Sequence, residues 1–151
     1  MTLTEDEMQC IHQWSITLFG GDAGVRDPGG VEAVLARPLI TAFGEVVYAT
    51  PFARAAAVLE ATVRRHPYAD GNKRTGLAAG LFILNQAGFS YVGSNEGSVA
   101  LVLGLISHAV ALDAASEFLE EHARVAETLE LDPFLAKLDR EYEAAFAELA
   151  R

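Results

Sequence analysis

At 151 residues, about half of them hydrophobic, the chain is long enough to bury one core without metals or disulfides, and its single cysteine, Cys10, excludes an internal disulfide and a thiolate zinc cluster. That cysteine usage, an acidic start unlike a signal peptide, and a longest apolar run (Val99 to Ala111) too short to span a bilayer point to a reducing cytoplasm and no membrane insertion. A net charge of −10 opposes nonspecific binding to nucleic acid or anionic lipid.

Thr4, with Glu7 three residues on, makes a capping box, so the first helix starts there. Met8, Ile11, Trp14 and Leu18 form its apolar stripe, and Gly20-Gly21 ends it. Glycine, aspartate and proline then dominate to Gly30, which predicts a loop, and a short helix from Val31 to Arg37 stops at Pro38. Between Leu39 and Ala49, Phe43, Val46, Val47 and Tyr48 are β-formers around Gly44 and predict an extended arm or small hairpin. Thr50-Pro51 opens a helix through Phe52, Ala56, Leu59 and Val63 to His66, where Pro67 disfavours helical geometry in the residue before it.

Asp70-Gly71-Asn72 reads as a tight turn, and a second helix runs from about Lys73 to Ala87, with Leu77, Ala78, Leu81, Phe82 and Leu84 at helical period and Gly88 closing it. Phe89 to Gly93 reads as a connector. A helix from Asn95 or Ser98 through Ala111 is apolar nearly all round and is expected at the centre of the bundle. Asp113 caps the next helix, with Phe118 and Leu119 facing inward. Asp132-Pro133 opens the last one, whose seam is Leu131, Leu135, Leu138, Tyr142, Ala145 and Leu149. The elements read as an all-α bundle with a small flap or hairpin.

The chemistry concentrates in HPYADGNKRT, His66 to Thr75, between two apolar helices. A loop entering a helix start exposes unpaired amides at the positive end of the helix dipole, which suits an anion. Lys73 and Arg74 add charge, and cations are disfavoured at that end of a helix without an anion to answer them. Asp70 suits a magnesium ion bridging phosphate oxygens, and His66 is a candidate proton acceptor. These are the parts of phosphoryl or nucleotidyl transfer, where catalysis is mostly positioning and charge stabilisation. Against this, His66 alone would read as a helix-terminal histidine, Asp70 as a turn former and Lys73-Arg74 as a solvated helix start.

The run resembles the signature of the Fic/Doc family: His66, Pro67, Tyr68, Asp70, Gly71, Asn72, Lys73 and Arg74 meet its positions, with tyrosine where phenylalanine is usual. Gly24-Val25-Arg26-Asp27 and Glu32 to Pro38 give a weaker match, so the resemblance covers most of residues 5 to 124. It implies a Fic-fold domain over 1–124 and a C-terminal helical extension over 125–151. Lysine at 73, where adenylyl-transferring Fic enzymes have glycine, follows the death-on-curing branch, and Leu77 replaces a further arginine that many adenylyl transferases use.

What the resemblance implies is a toxin of a toxin–antitoxin system that transfers the γ-phosphate of ATP, with Mg2+, to a hydroxyl of a protein, elongation factor Tu by analogy. In it His66 is the base, Asp70 holds the metal, Gly71, Asn72, Lys73 and Arg74 bind phosphates, and Arg74 neutralises charge in the transition state. Glu45 to Tyr48 corresponds to a flap that docks the target. A Phd-type antitoxin is the implied partner, since the strings Thr41 to Glu45 and Ser116 to Glu120 do not fit the self-inhibitory motif of some Fic proteins. The alternatives are transfer of AMP to a protein hydroxyl, an inactive binding module of the same fold, and an RNA-acting toxin, which the acidic composition disfavours. The tail is a lid, a contact for homo-oligomerisation or an antitoxin substitute, and its sequence does not choose.

Tyr68 reads as a core anchor beneath the loop. His12, His108 and His122 lie on separate helices without ligand spacing, so no zinc site is expected. Arg26 and Asp27 read as a mutual pair holding their loop. Glu60 and Arg64 read as a surface i,i+4 pair. No Walker A or dinucleotide fingerprint occurs.

Overall fold

The computed structural model describes residues 2–151. Two helices carry the fold, α3 (Pro51–Arg65) and α4 (Asn72–Gln86). They approach closely because α4 is bare where they cross. A Cβ on Gly76 would stand 2.9 Å from Val63 Cγ1 and 3.2 Å from Thr62 Cβ, and one on Gly80 would stand 3.1 Å from the Ala55 carbonyl oxygen. Interaxial distance follows the side chains at the contact, so a Gly-xxx-Gly face sets a short one. Both helices are buried on nearly every side, which explains their alanine content.

Around this pair pack α1 (Glu5–Phe19) on α4, α2 (Pro28–Ala36), α5 (Asn95–Ile106) and α6 (Leu112–Glu121) on α3, and α7 (Leu131–Leu149) against α1, α4 and α5. The mostly helical bundle read from the sequence is what forms. Thr4 caps α1 with the full capping box, and Thr50 Oγ1 accepts from Ala53 N at the start of α3. No helix among the described residues is long and apolar enough to cross a membrane.

Several boundaries differ from the sequence reading for physical reasons. Pro28 takes the first turn of α2, where its missing N–H costs nothing, and α2 ends at Ala36 with a 3-10 turn through Leu39. α5 stops at Ile106 instead of continuing to Ala111: His108 takes a left-handed φ of 65°, and the chain folds back so that Val110 sits over Gly104. With Leu103 exposed, α5 is a flanking helix and the centre belongs to α3 and α4. α6 starts from Ala111 and α7 from Glu130, neither with a side-chain cap.

Two short antiparallel pairs complete the chain. β1 (Thr41–Ala42) and β2 (Glu45–Val46) form the expected hairpin, turning through Phe43 and Gly44, both at positive φ. Phe43, Val46 and Val47 are exposed, whereas Tyr48 is buried and anchors the hairpin's base. The connector at Phe89–Tyr91 is in fact β3, paired with β4 (Ala123–Val125).

The Glu60–Arg64 pair is not a surface pair. Glu60 is buried, and its carboxylate bridges Arg37 Nη2 at 3.2 Å and Arg64 Nη1 at 3.3 Å. Arg37 Nε then donates to Tyr48 Oη at 2.8 Å, tying the hairpin base to α3. The α7 seam is also spent within the chain: Leu135, Leu138, Tyr142, Ala145 and Leu149 join the common core with Phe134 and Phe146, so these side chains are not open to a second copy. At Tyr142 the helix kinks (φ −125°), and the tyrosine hydroxyl donates to Gly93 O at 2.8 Å with Tyr91 O at 3.2 Å.

Alanine at Gly76 gains about 1 kcal/mol of helix propensity but forces its Cβ into Val63. Gly76→Ala is expected to lower stability by about 1–2 kcal/mol net in urea unfolding.

Candidate active site

α3 ends at His66, which takes a left-handed conformation (φ 51°) as the C-cap and donates its N–H to Thr62 O at 3.2 Å. A non-glycine residue held there needs support from its surroundings. Arg26 supplies it: its Nε donates to His66 O and its Nη2 to Arg65 O, both at 2.7 Å. The amides of Arg26 and Asp27 both reach Pro67 O at 2.9 Å, and Ala69 N reaches Gly24 O at 2.9 Å. Arg26 therefore holds the motif loop directly and is not paired with Asp27.

Asn72 fastens the loop from its other end. Its Oδ1 accepts from Tyr68 N at 3.0 Å and its Nδ2 donates to Tyr68 O at 2.9 Å, as a neighbouring strand would. The same Nδ2 lies 3.4 Å from His66 Nδ1. At that length the contact orients the edge of the ring without fixing its tautomer. His66 Nε2 has no hydrogen-bond partner among the described residues, and the side chain is exposed.

Gly71 precedes α4 at φ 80°, and a Cβ there would stand 3.0 Å from Ser15 Oγ and 3.2 Å from Arg74 Nη2. No side chain caps α4 and no acidic residue occupies its first turn, so its leading amides remain available to an anion.

The two cations after Asn72 differ in placement. Lys73 Nζ donates to Arg151 O at 3.4 Å at the mouth of the site. Arg74 is only 3% exposed, and its Nη1 donates to Ser15 O at 2.7 Å and Gly20 O at 3.0 Å at the end of α1. Burial pushes its pKa down, opposed by Asp70. Its Nε is sealed from solvent without a partner, whereas Nη2, which also makes no hydrogen bond to the described residues, lies beneath Gly71. A buried guanidinium with Nη2 unpartnered beneath the turn suits an anion in the cleft above it.

Asp70 turns one oxygen inward, Oδ2 accepting from Asp22 N at 2.8 Å, which leaves its Oδ1 for a ligand. No cluster of three or more metal-ligating side chains occurs among the described residues. That donor set fits magnesium, which takes one or two carboxylates and completes its shell with water and substrate phosphates. His66, Asp70, Gly71, Asn72, Lys73 and Arg74 all line one cleft of about 210 Å3, whose far wall is Leu149, Ala150 and Arg151 at the end of α7.

Sequence reasoning missed α1's part in this site. His12 is buried, its ring stacks on Tyr68 with centroids 3.8 Å apart, and its Nε2 donates to Asp70 O at 2.9 Å. Ser15 Oγ lies 3.4 Å from Thr75 Oγ1 beneath the turn. The one available signal was a histidine and a serine interrupting the inward face of an otherwise apolar helix. Arg64, by contrast, turns away from the site to Leu105 O.

A profile described as the Fic/DOC family matches residues 2–84, which span α1 through most of α4. The chain belongs to the Fic/Doc family. Two relatives are similar along this part. "Toxin Doc" of Mycolicibacterium smegmatis is 46% identical over 61 residues, 40% of this chain and 47% of that protein. "Protein kinase doc" of Escherichia phage P1 is 34% identical over 95 residues, 62% of this chain and 74% of that protein. The chain thus spans about half the length of the first and three quarters of the second. In this Fic/Doc chain the family match stops before α5, and the wall that α7 adds to the cleft lies outside it.

Two outcomes follow from the loop's construction. Asn72→Ala strands the N–H and C=O of buried Tyr68 and is expected to cost about 2–4 kcal/mol in chemical denaturation. Burial pushes the His12 pKa below its ordinary 6.5, so the neutral ring is the form the fold favours. Its contribution is complete above that value and is lost as pH falls below it. Between about pH 7.5 and 5.5, His12→Gln is expected to lose less stability than the wild type, read by thermal unfolding.

Proposed function

We propose that this protein is a Doc-like transferase that moves the γ-phosphoryl group of magnesium ATP to a Ser or Thr hydroxyl of a protein. The observation that carries the reading is the cleft over the start of α4, where uncapped amides and the guanidinium of Arg74, its Nη2 beneath Gly71 and without a partner among the described residues, line the same wall as exposed His66. Lys73, in place of the glycine of adenylyl-transferring relatives, favours a nucleotide presenting its γ-phosphate, and a relative named a protein kinase supports the same choice.

In this reading the amides of Asn72 and Lys73 and the Lys73 ammonium hold the terminal phosphates, the ammonium exchanging its bond to Arg151 O for a phosphate oxygen. Arg74 lies below as fixed positive charge that needs no reorganisation as charge develops. His66 Nε2 takes the proton of the attacking hydroxyl, which requires Nδ1 to carry the ring proton and the 3.4 Å contact to Asn72 Nδ2, itself a donor, to open. Bound through Asp70 Oδ1, magnesium would neutralise phosphate charge and hold the phosphates in register. The exposed hairpin edge around Val46 is suited to pairing with an extended segment of the target. An antitoxin partner and elongation factor Tu as the first target to test come from the resemblance and from a relative named a toxin.

Incubating the protein and candidate targets with ATP labelled at the α or the γ position tests the reading. Label from the γ position alone is expected on the target, with His66→Ala lowering the rate by about 100-fold or more. Label from the α position would mean nucleotidyl transfer instead. Growth arrest on expression, relieved by His66→Ala, is expected of an enzyme and not of a binding module.

A further inference from the structure

On the side of the motif loop away from the cleft, α1, α2 and residues 23–25 enclose a second cavity of about 290 Å3. Two buried polar side chains line it. Tyr68 is 3% exposed and His12 4%, yet the Tyr68 hydroxyl has no hydrogen-bond partner among the described residues. The His12 ring spends Nε2 on Asp70 O, which makes Nδ1 an acceptor, also without a partner among the described residues. Neither atom is among the sealed polar atoms of the structure, so both open to the cavity they line. At the rim stand the carboxylates of Glu5 and Glu32, and Val25 and Val31 provide apolar wall.

Every charged side chain on this cavity is negative and its two buried polar atoms can both accept. A ligand that satisfies them must bring several N–H donors and positive charge on a flat or apolar body. An anion meets two carboxylates, and a neutral apolar group leaves both acceptors unmet. A guanidinium presents five donors in one plane, is weakly hydrated and stacks well against aromatic rings, while its alkyl stem suits the valine wall. Burial and then Glu5 push the Tyr68 pKa up to about 12, so the hydroxyl stays neutral and keeps an acceptor lone pair beside the carboxylates.

We infer that this cavity binds an alkylguanidinium group, with Tyr68 Oη and His12 Nδ1 as acceptors and Glu5 and Glu32 as counter-charges. The tyrosine hydroxyl, the one departure from the phenylalanine usual in the motif, thereby gains a role that a core anchor does not need. The inference stands apart from the transferase reading, since the cavity shares no residue with the cleft.

Calorimetric titration of the full chain tests it, with agmatine as the free-metabolite probe and acetyl-Ala-Arg-Ala-amide as the protein-borne one. Saturable binding of at least one probe is expected, and which of them binds more tightly identifies the source of the group. Tyr68→Phe is expected to weaken that binding about tenfold, the worth of a hydrogen bond to a charged group. The Glu5→Gln, Glu32→Gln double variant, altered only at exposed positions, is expected to abolish it. Absence of saturation by either probe at millimolar concentration overturns the inference. So does binding that the double variant leaves unchanged, which would place the ligand elsewhere.

Discussion

The close crossing of α3 and α4 at Gly76 and Gly80 is the constraint on which the site depends. It brings the end of one helix, carrying His66, beside the start of the next, carrying Asn72. The intervening loop is then short enough for Asn72 to close it onto Tyr68 with two backbone hydrogen bonds. A wider crossing would part the imidazole from the amides that are to hold an anion. The packing of two apolar helices and the chemistry between them are one geometric problem.

A second support comes from α1. Arg74 enters the core and holds the carbonyls of Ser15 and Gly20, while His12 holds the carbonyl of Asp70 and stacks on Tyr68. Arg74 therefore fixes the end of α1 and at the same time places charge beneath the loop. Its sealed, unmet Nε is the local cost of this double duty, and its unpartnered Nη2 beneath Gly71 is the sign that the fold is built to meet an anion. α7 closes the assembly from the other side: its seam is buried in the common core, and its last residues stand against Lys73. Tail and motif are thus parts of one packed unit.

Much of this was legible in the sequence because it is local. The Thr4–Glu7 capping box, Thr50-Pro51 before α3, the stop at Pro67 and the turn at Gly71 each follow from the conformational limits of a few neighbouring residues, and the hairpin follows from Phe43-Gly44 between β-formers. The motif's residues lie within ten positions, so their convergence could be read directly. What was hidden is long-range. Arg26 reaching back to His66 O, Glu60 capturing Arg37, and β3 finding β4 join residues far apart in the chain, and no periodicity encodes them. His12 reads in the sequence only as a histidine without ligand spacing, because its partners Tyr68 and Asp70 lie in the motif loop, and Ser15 goes unnoticed because it faces Thr75 on α4. Leu18, read as part of that stripe, is exposed because α1 ends beside the loop and no longer faces the core.

The central claim is that the start of α4 grips the terminal phosphates of a nucleotide within reach of His66. A structure of the full chain bound to magnesium and a non-hydrolysable ATP analogue tests it most directly. The account predicts the γ-phosphate on the amides of Asn72 and Lys73, with Asp70 on the metal and His66 Nε2 facing the γ-phosphorus across the gap a hydroxyl would fill. An α-phosphate at that position, or a nucleotide seated anywhere else, would contradict it.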